Sequence, residues 1–313
     1  MKPTIKSLYL APMEGVMDAL MRELITSFGG IDLCFTEFVR IVDEQLPKRV
    51  FYRLCPELYN GGKTKSGIPV RVQLLGNNPQ AMAQNALLAC ELGSHGIDLN
   101  FGCPAKTVNK NLGGAALLKE PQQIYQIIKT VRQAVPAHLP VSAKIRLGWE
   151  CLSLLDDTIA AINSAAASEL IVHARTKIQG YKPPAHWHEI QKIQQVANMP
   201  VIANGDINCH TSATECMAQS GCDMLMIGRG VCAQPNLAQQ IKSGANPLKW
   251  NEILQLLRQY SKAEIQGDKG KYFPNRLKQW LKSLQTKYPP AEQLFSEIRA
   301  LKNTDEVLRH FMS

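Results

Sequence analysis

The chain has 313 residues, 45% of them hydrophobic, so it can bury a large core, and its nine cysteines contain no Cys-x-x-Cys pair of the kind that zinc and redox motifs use. Its formal charge of +9, from 35 basic and 26 acidic residues, favours a polyanionic partner. Met1–Lys6 lacks a signal-peptide apolar block and no run of about 18 apolar residues occurs, so a soluble, cytoplasmic protein with reduced thiols and no membrane span is expected.

Eight short apolar runs read as strands: Leu8–Met13, Asp32–Phe38, Val70–Gly76, Gly96–Asn100, Pro140–Leu147, Glu169–Arg175, Pro200–Asp206 and Asp223–Gly228. Helical patterns such as Met17–Ser27, Ala81–Leu92, Pro121–Ala134 and Ser212–Ser220 fall between them. Strand and helix alternating eight times predicts an α/β fold, a (β/α)8 TIM barrel. An open doubly wound sheet is the alternative, but the Gly-x-Gly-x-x-Gly turn after its first strand is absent.

Barrel chemistry gathers where strands end, and unusual polar residues fall there repeatedly. The first strand runs into Ala11-Pro12-Met13-Glu14-Gly15, the second reaches Glu37 and Arg40, and the third carries Gln73 in an otherwise apolar run. After the fourth, Asp98–Leu118 joins a strand end at Asn100 to a Gly-Gly pair through a loop that opens Gly102-Cys103-Pro104. Gly102 permits close approach of a ligand, Pro104 fixes the chain direction, and Cys103 at the loop mouth near Lys106 is a candidate reactive thiol. The fifth strand carries Lys144 and Arg146, the sixth His173 and Arg175. The seventh ends Asn204-Gly205-Asp206 and the eighth Gly228-Arg229-Gly230.

Each residue also has a plain structural reading. Gln73 can be a hydrogen-bonded layer residue, Lys144 can pair with Glu37 or Asp98, and His173 can be a satisfied core histidine. Buried Lys, Arg and Gln nevertheless cost several kcal/mol unless satisfied, and so many at one end of a barrel point to a polar ligand. The last two loops offer backbone N–H groups and a guanidinium where barrels commonly hold phosphate. FMN fits, with its phosphate there and Lys144 and Gln73 on the polar edge of its ring; a phosphosugar is the competing ligand.

Beyond Gly230 the chain reads as short helices: Trp250–Ile265, Pro274–Tyr288, Ala291–Leu301 and Thr304–Met312. Leu277, Trp280, Leu281 and Leu284 mark one apolar face, and Asn275, Lys278 and Lys282 line another, with Arg276 beside them. Lys269–Tyr288 holds six basic residues and no acidic one, which reads either as a solvated face or as a phosphate-tracking surface. The division expected is a barrel over 1–243 and a smaller all-helical domain over 244–313. Cys209, Cys216, Cys222 and Cys232 cluster without a recognisable cluster-binding spacing, so no metal is expected.

The motifs Ala11–Gly15, Val72–Gly76, Asn100–Pro104, Lys144–Gly148, His173–Thr176, Ala203–Asp206 and Ile227–Gly230, in this order, resemble those of the tRNA-dihydrouridine synthases, most closely their bacterial C-type branch. The likeness runs through the barrel into the helical tail. It implies an FMN oxidoreductase that uses NADPH to reduce a uridine in the tRNA D-loop, at position 16 for the C-type branch, to 5,6-dihydrouridine. Pro12, Met13, Glu14, Gln73, Lys144 and His173 would then hold the flavin, and Asn204, Gly205, Asp206, Gly228 and Arg229 its phosphate. By the same resemblance Cys103 donates a proton, Asn100, Arg146 and Tyr181 touch the uracil, and Arg40, Arg276, Lys278 and Arg299 contact the RNA. Ala174 and Thr107 stand where many members carry glycine and lysine, which leaves the Cys103 loop less basic. A monomer without an obligate protein partner is the default expectation. The rival readings are a flavin barrel acting on a free pyrimidine, a catalytically inactive RNA-binding protein and a phosphosugar enzyme.

Overall fold

In the computed structural model, which describes residues 4–267 and 269–310, nine strands form one sheet that closes on itself. They are β1 (Ser7–Leu10), β2 (Leu33–Phe35), β3 (Val39–Arg40), β4 (Val70–Leu75), β5 (Ile97–Asn100), β6 (Val141–Arg146), β7 (Glu169–His173), β8 (Val201–Asn204) and β9 (Met224–Ile227). Every ladder is parallel, and β1 closes the barrel between β9 and β2, with Leu10 opposite both Ile227 and Cys34. Helices cover the outside, as expected for a (β/α)8 barrel.

The run Asp32–Phe38 is a correction: it is not one strand but the first part of an interrupted one. The barrel breaks after Phe35 and resumes at Val39, with β2 and β3 both paired to β4. Thr36 bridges the break from both sides. Its N–H donates to the Arg71 carbonyl at 3.1 Å and its hydroxyl accepts the Gln73 N–H at 3.0 Å. A hydroxyl thus replaces a ladder carbonyl and frees Glu37 and Phe38 to turn toward the barrel mouth.

Strand alternation sorts the side chains between the barrel axis and the helices. Tyr9, Phe35, Ile171, Ile202, Met224 and Met226 form an apolar cluster separate from the main core. Arg71, Gln73, Asp98, Asn100, Ser142 and Arg146, from β4–β6, supply a buried polar half. The outer core is amphipathic helix on sheet: Ile124, Ile127, Ile128 and Val131 of helix Pro121–Ala134 are all buried, at i, i+3, i+4 and i+7. Asn78 caps helix Pro79–Glu91 by accepting the Gln80 and Ala81 N–H groups, with proline at the first position where no donor is needed.

The tail helices are Trp250–Gln266, Phe273–Leu284, Pro289–Ile298 and Thr304–Arg309. The apolar face read at Leu277, Trp280, Leu281 and Leu284 is buried. Trp280 ties the tail to the barrel by donating its indole N–H to the Cys232 carbonyl at 3.1 Å. The start of Met1–Lys6 and the end of the Thr304–Met312 pattern lie outside the described residues. Among the described residues no helix is long and apolar enough to cross a membrane.

Candidate active site

A cavity of about 530 Å³ opens at the C-terminal end of the barrel, within the size range of small-molecule sites. All eleven residues read as flavin contacts line it: Pro12, Met13, Glu14, Gln73, Lys144 and His173 around the axis, and Asn204, Gly205, Asp206, Gly228 and Arg229 on one side. Cys103, Asn100, Arg146 and Tyr181 line it too. Phe38, Val16, Ile207 and Asn208 complete parts of the wall that no sequence signal singled out.

The floor is a row of side-chain amides. Gln73 donates to Asp98 at 2.6 Å and accepts from Asn100 at 2.8 Å. Asn100 accepts the Gly102 and Cys103 N–H groups at 3.0 and 2.7 Å, so it shapes the loop that carries the thiol. The far side of that loop rests on Gly114, and the Cys103 carbonyl accepts from the Ala115 N–H and the Asn109 amide. Burial, and secondarily the nearby Glu14 carboxyl, push the Cys103 thiol up, so it stays protonated at neutral pH. The Glu14–Gly15 turn is itself held by Glu37, whose carboxylate accepts the Gly15 N–H.

Lys144 pairs directly with neither Glu37 nor Asp98; its ammonium lies 3.3 Å from the Asn204 side-chain oxygen. Burial, then the Arg146 charge, pull it down to about 8. Arg146 donates to the carbonyls of Gly102, Thr176 and Gly180, which braces the Cys103 loop against the one after β7. Tyr181, 51% exposed at the rim, covers the guanidinium groups of both Arg146 and Arg229 at 5.1 and 4.8 Å. His173 is held well below its ordinary value, first by burial and then by the arginines and lysine around it, and is neutral. Its ring Nδ1 is buried and has no hydrogen-bond partner among the described residues.

On the opposite wall, Asp206 is clamped by Arg175 and lies 3.5 Å from Arg229. Its carboxylate is therefore engaged, and what it can offer an anion is backbone. Gly205 adopts φ +124°, a region closed to other residues in practice, and the Gly228 α-carbon faces Ala11 and Met13 without crowding.

The four residues read as RNA contacts lie outside this cavity. Arg40 and Arg299 are exposed, and Arg40 is near enough to the mouth for its charge to act on Cys103 and Glu14. Arg276 and Lys278 are a correction to the open basic face. The Arg276 side chain is 12% exposed, bonded to Asp18 and Tyr260 and paired with Glu264, and Lys278 donates to the carbonyls of Arg299 and Leu301. Lys269 is likewise held by Asp18 at 3.2 Å. The acids missing from the local sequence arrive from elsewhere in the fold. A second cavity of about 240 Å³ at this seam shares Met13, Val16 and Arg229 with the first and includes Arg276. Among the described residues no group of three or more His, Cys, Asp or Glu side chains could hold a metal ion.

Among solved structures, a histamine dehydrogenase from Rhizobium sp. 4-9 aligns over 76% of this chain and 45% of its own with a TM-score of 0.57 at 13% identity. A variant of NCR from Zymomonas mobilis aligns over 77% and 88% with a TM-score of 0.53 at 14% identity. These likenesses concern the barrel fold alone. Sequence relatives are much nearer. A tRNA-dihydrouridine(16) synthase of Shewanella oneidensis is 53% identical, covering 96% of this chain and 95% of its own. Those of Vibrio vulnificus and Escherichia coli K12 are 51% and 52% identical at similar coverage. The profile of the family described as Dihydrouridine synthase (Dus) matches residues 9–312, through barrel and tail alike, and the chain belongs to that family.

Proposed function

We propose that this protein reduces uridine 16 in the D-loop of tRNA to 5,6-dihydrouridine, with FMN bound in the barrel mouth and NADPH as reductant. The names of its relatives support the substrate and the position. The observation that carries the chemistry is that one cavity holds a thiol that burial keeps protonated, Cys103, with a half-buried lysine, a buried arginine and a neutral histidine whose ring nitrogen has no hydrogen-bond partner among the described residues.

The residues fit FMN. His173 Nδ1 is an unsatisfied buried polar atom awaiting a hydrogen bond. Lys144 and Gln73 suit the polar edge of the ring, and Asn204, Gly205, Asp206, Gly228 and Arg229 suit a phosphate. When bound and reduced, FMN supplies a hydride to C6 of the uracil.

Charge then builds on the substrate toward C5 and O4, where the positive charges of Lys144 and Arg146 stabilise it. The Cys103 S–H bond breaks, its proton goes to C5, and the thiolate left behind is reprotonated from solvent. Asn100 and Tyr181 orient the base, which must leave its stack at a cost of about a few kcal/mol. Phosphate contacts by Arg40, Arg299 and the exposed lysines offset that cost. Residues 1–243 serve as the catalytic unit and 244–313 as the RNA-binding unit of a cytoplasmic monomer without an obligate protein partner.

The test is to purify the protein, record its visible spectrum, and map dihydrouridine by position in tRNA from cells with and without it. A yellow protein whose loss removes dihydrouridine at position 16 supports the reading. Loss at another D-loop position overturns the position alone. A colourless protein, or activity on free uracil without tRNA, overturns the assignment.

A further inference from the structure

Asp98 is fully buried on β5 and is not part of the cavity wall. Its hydrogen-bond partners are neutral: the Ser142 hydroxyl at 2.6 Å on one oxygen and the Gln73 amide at 2.6 Å on the other. A carboxylate in such a place is costly, and an apolar residue would fill the strand at lower cost. Burial shows its expense by pushing the Asp98 carboxyl up to about 6.

What Asp98 adds is direction. A side-chain amide has a donor end and an acceptor end of nearly equal shape, so its orientation is set only by its neighbours. Ser142 receives a hydrogen bond from Arg71 at 3.0 Å, which leaves its own proton for Asp98. An ionised carboxylate only accepts, so the Gln73 nitrogen must face it. The Gln73 oxygen then faces the Asn100 nitrogen, and the Asn100 oxygen faces the Cys103 N–H. Reversing Gln73 alone would set oxygen against carboxylate and nitrogen against nitrogen. Reversing Asn100 alone would set its nitrogen against two N–H donors.

We propose that Asp98 is a positioning residue for the proton donor: by orienting two amides in series it presents the Asn100 oxygen to the Cys103 backbone and so aims the thiol into the cavity. This rests on the reading of Cys103 as the donor given above.

The experiment compares turnover per bound flavin for dihydrouridine formation with NADPH-driven flavin bleaching. Asp98→Leu and Asp98→Ala remove the acceptor and should lower dihydrouridine formation at least about tenfold more than they lower bleaching, because small displacements of a reacting group are expensive and bleaching does not use the thiol. Asp98→Asn can still turn an oxygen to Gln73, because the Ser142 hydroxyl also lies 3.4 Å from the Ile97 carbonyl and can swing its proton there, and it should stay within about threefold of the native rate. Native turnover in the Leu and Ala variants overturns the proposal. So does an Asp98→Asn variant as impaired as Asp98→Leu, since charge rather than orientation would then matter.

Should the apolar variants fail to fold, a polar pair decides. Asn100→Asp sets an oxygen against the Gln73 oxygen and should be impaired. Adding Asp98→Asn supplies an amide donor on β5 and lets Gln73 reverse, so the double variant should recover at least about fivefold over Asn100→Asp alone. No recovery overturns the proposal. Cys103→Ala separates the two claims: retained turnover there defeats the proton-donor reading, whereas loss there with native turnover in Asp98→Leu defeats the relay alone.

Discussion

Gly114 lies so close to Cys103 that a β-carbon at position 114 would sit 2.8 Å from the Cys103 carbonyl oxygen and 3.1 Å from its β-carbon. Gly114 also has φ +59°, a left-handed conformation that a side chain strains. Gly114→Ala is therefore expected to cost about 1–3 kcal/mol and to displace the thiol. The measurement is thermal melting with turnover per bound flavin, and both should fall. Gly113→Ala is the control. Gly113 has an ordinary φ of −111° and a nearest neighbour at 3.3 Å, the flexible end of Leu75, so the effect should be much smaller. Equal losses at the two positions would remove the specific contact from the explanation.

Cys103 itself should be separable from the flavin. Cys103→Ala removes the proposed acid while leaving the opposite wall untouched, so flavin content, NADPH-driven bleaching and tRNA affinity should persist. Dihydrouridine formation should fall about 10²–10⁴-fold, the usual contribution of a general acid. Cys103→Ser tests acidity rather than shape, because a hydroxyl gives up its proton far less readily, and it should be nearly as slow as alanine. Rapid turnover in the serine variant would mean that the position needs only a polar atom.

Lys144 ties activity and stability to pH with opposite signs. Its folded value of about 8 lies below the unfolded value of about 10.4, so its positive charge is lost as pH rises through about 8. Turnover should decline over that range, before the Cys103 thiol, pushed above its ordinary value, gives up its proton. In the window between the two lysine values the unfolded chain binds the extra proton, so Lys144 makes folding stability rise with pH there. Denaturant titrations of flavin-free protein at pH 7 and 9, native against Lys144→Met, read that contribution. From pH 7 to pH 9 the native protein should gain stability relative to Lys144→Met. A relative loss would contradict the sign.

Much of this site was legible in the sequence because strand ends concentrate it. Gln73, Asn100, Lys144, His173 and Asn204 are polar residues at the mouth ends of apolar runs, and a parallel barrel leaves such residues one place to meet. The exceptions all depend on partners distant in the chain. Asp32–Phe38 looks continuous because nothing in its composition reveals that the Thr36 hydroxyl substitutes for a ladder carbonyl. Phe38 and Asn208 enter the wall through loop geometry that carries no periodic signal. The basic run of the tail misled for the same reason: Asp18 lies more than two hundred residues before Arg276 and Lys269 and pairs with both, aided by Glu264 at Arg276 and by Glu37 at Lys269.

That pairing divides the tail's cations into two experimental classes. Arg276 joins Asp18 on the barrel to Glu264 and Tyr260 on the tail, so Arg276→Ala leaves two carboxylates facing a poorly solvated seam. A partly exposed pair of this kind should cost about 1–3 kcal/mol, below the range for fully buried pairs. Its melting temperature should drop, and any loss of tRNA affinity would come with loosening of the tail. Arg299 is exposed, and Arg299→Ala should leave melting unchanged. It should weaken tRNA binding uniformly across sequences and reduce the slope of log affinity against log salt by about one, the signature of a single lost phosphate contact. Titrating tRNA at several salt concentrations with each variant distinguishes the classes. A normal melting curve with a reduced salt slope in Arg276→Ala would show that this arginine exchanges its carboxylates for phosphate when RNA binds. An unchanged slope in Arg299→Ala would take the RNA backbone away from the outer face of the tail.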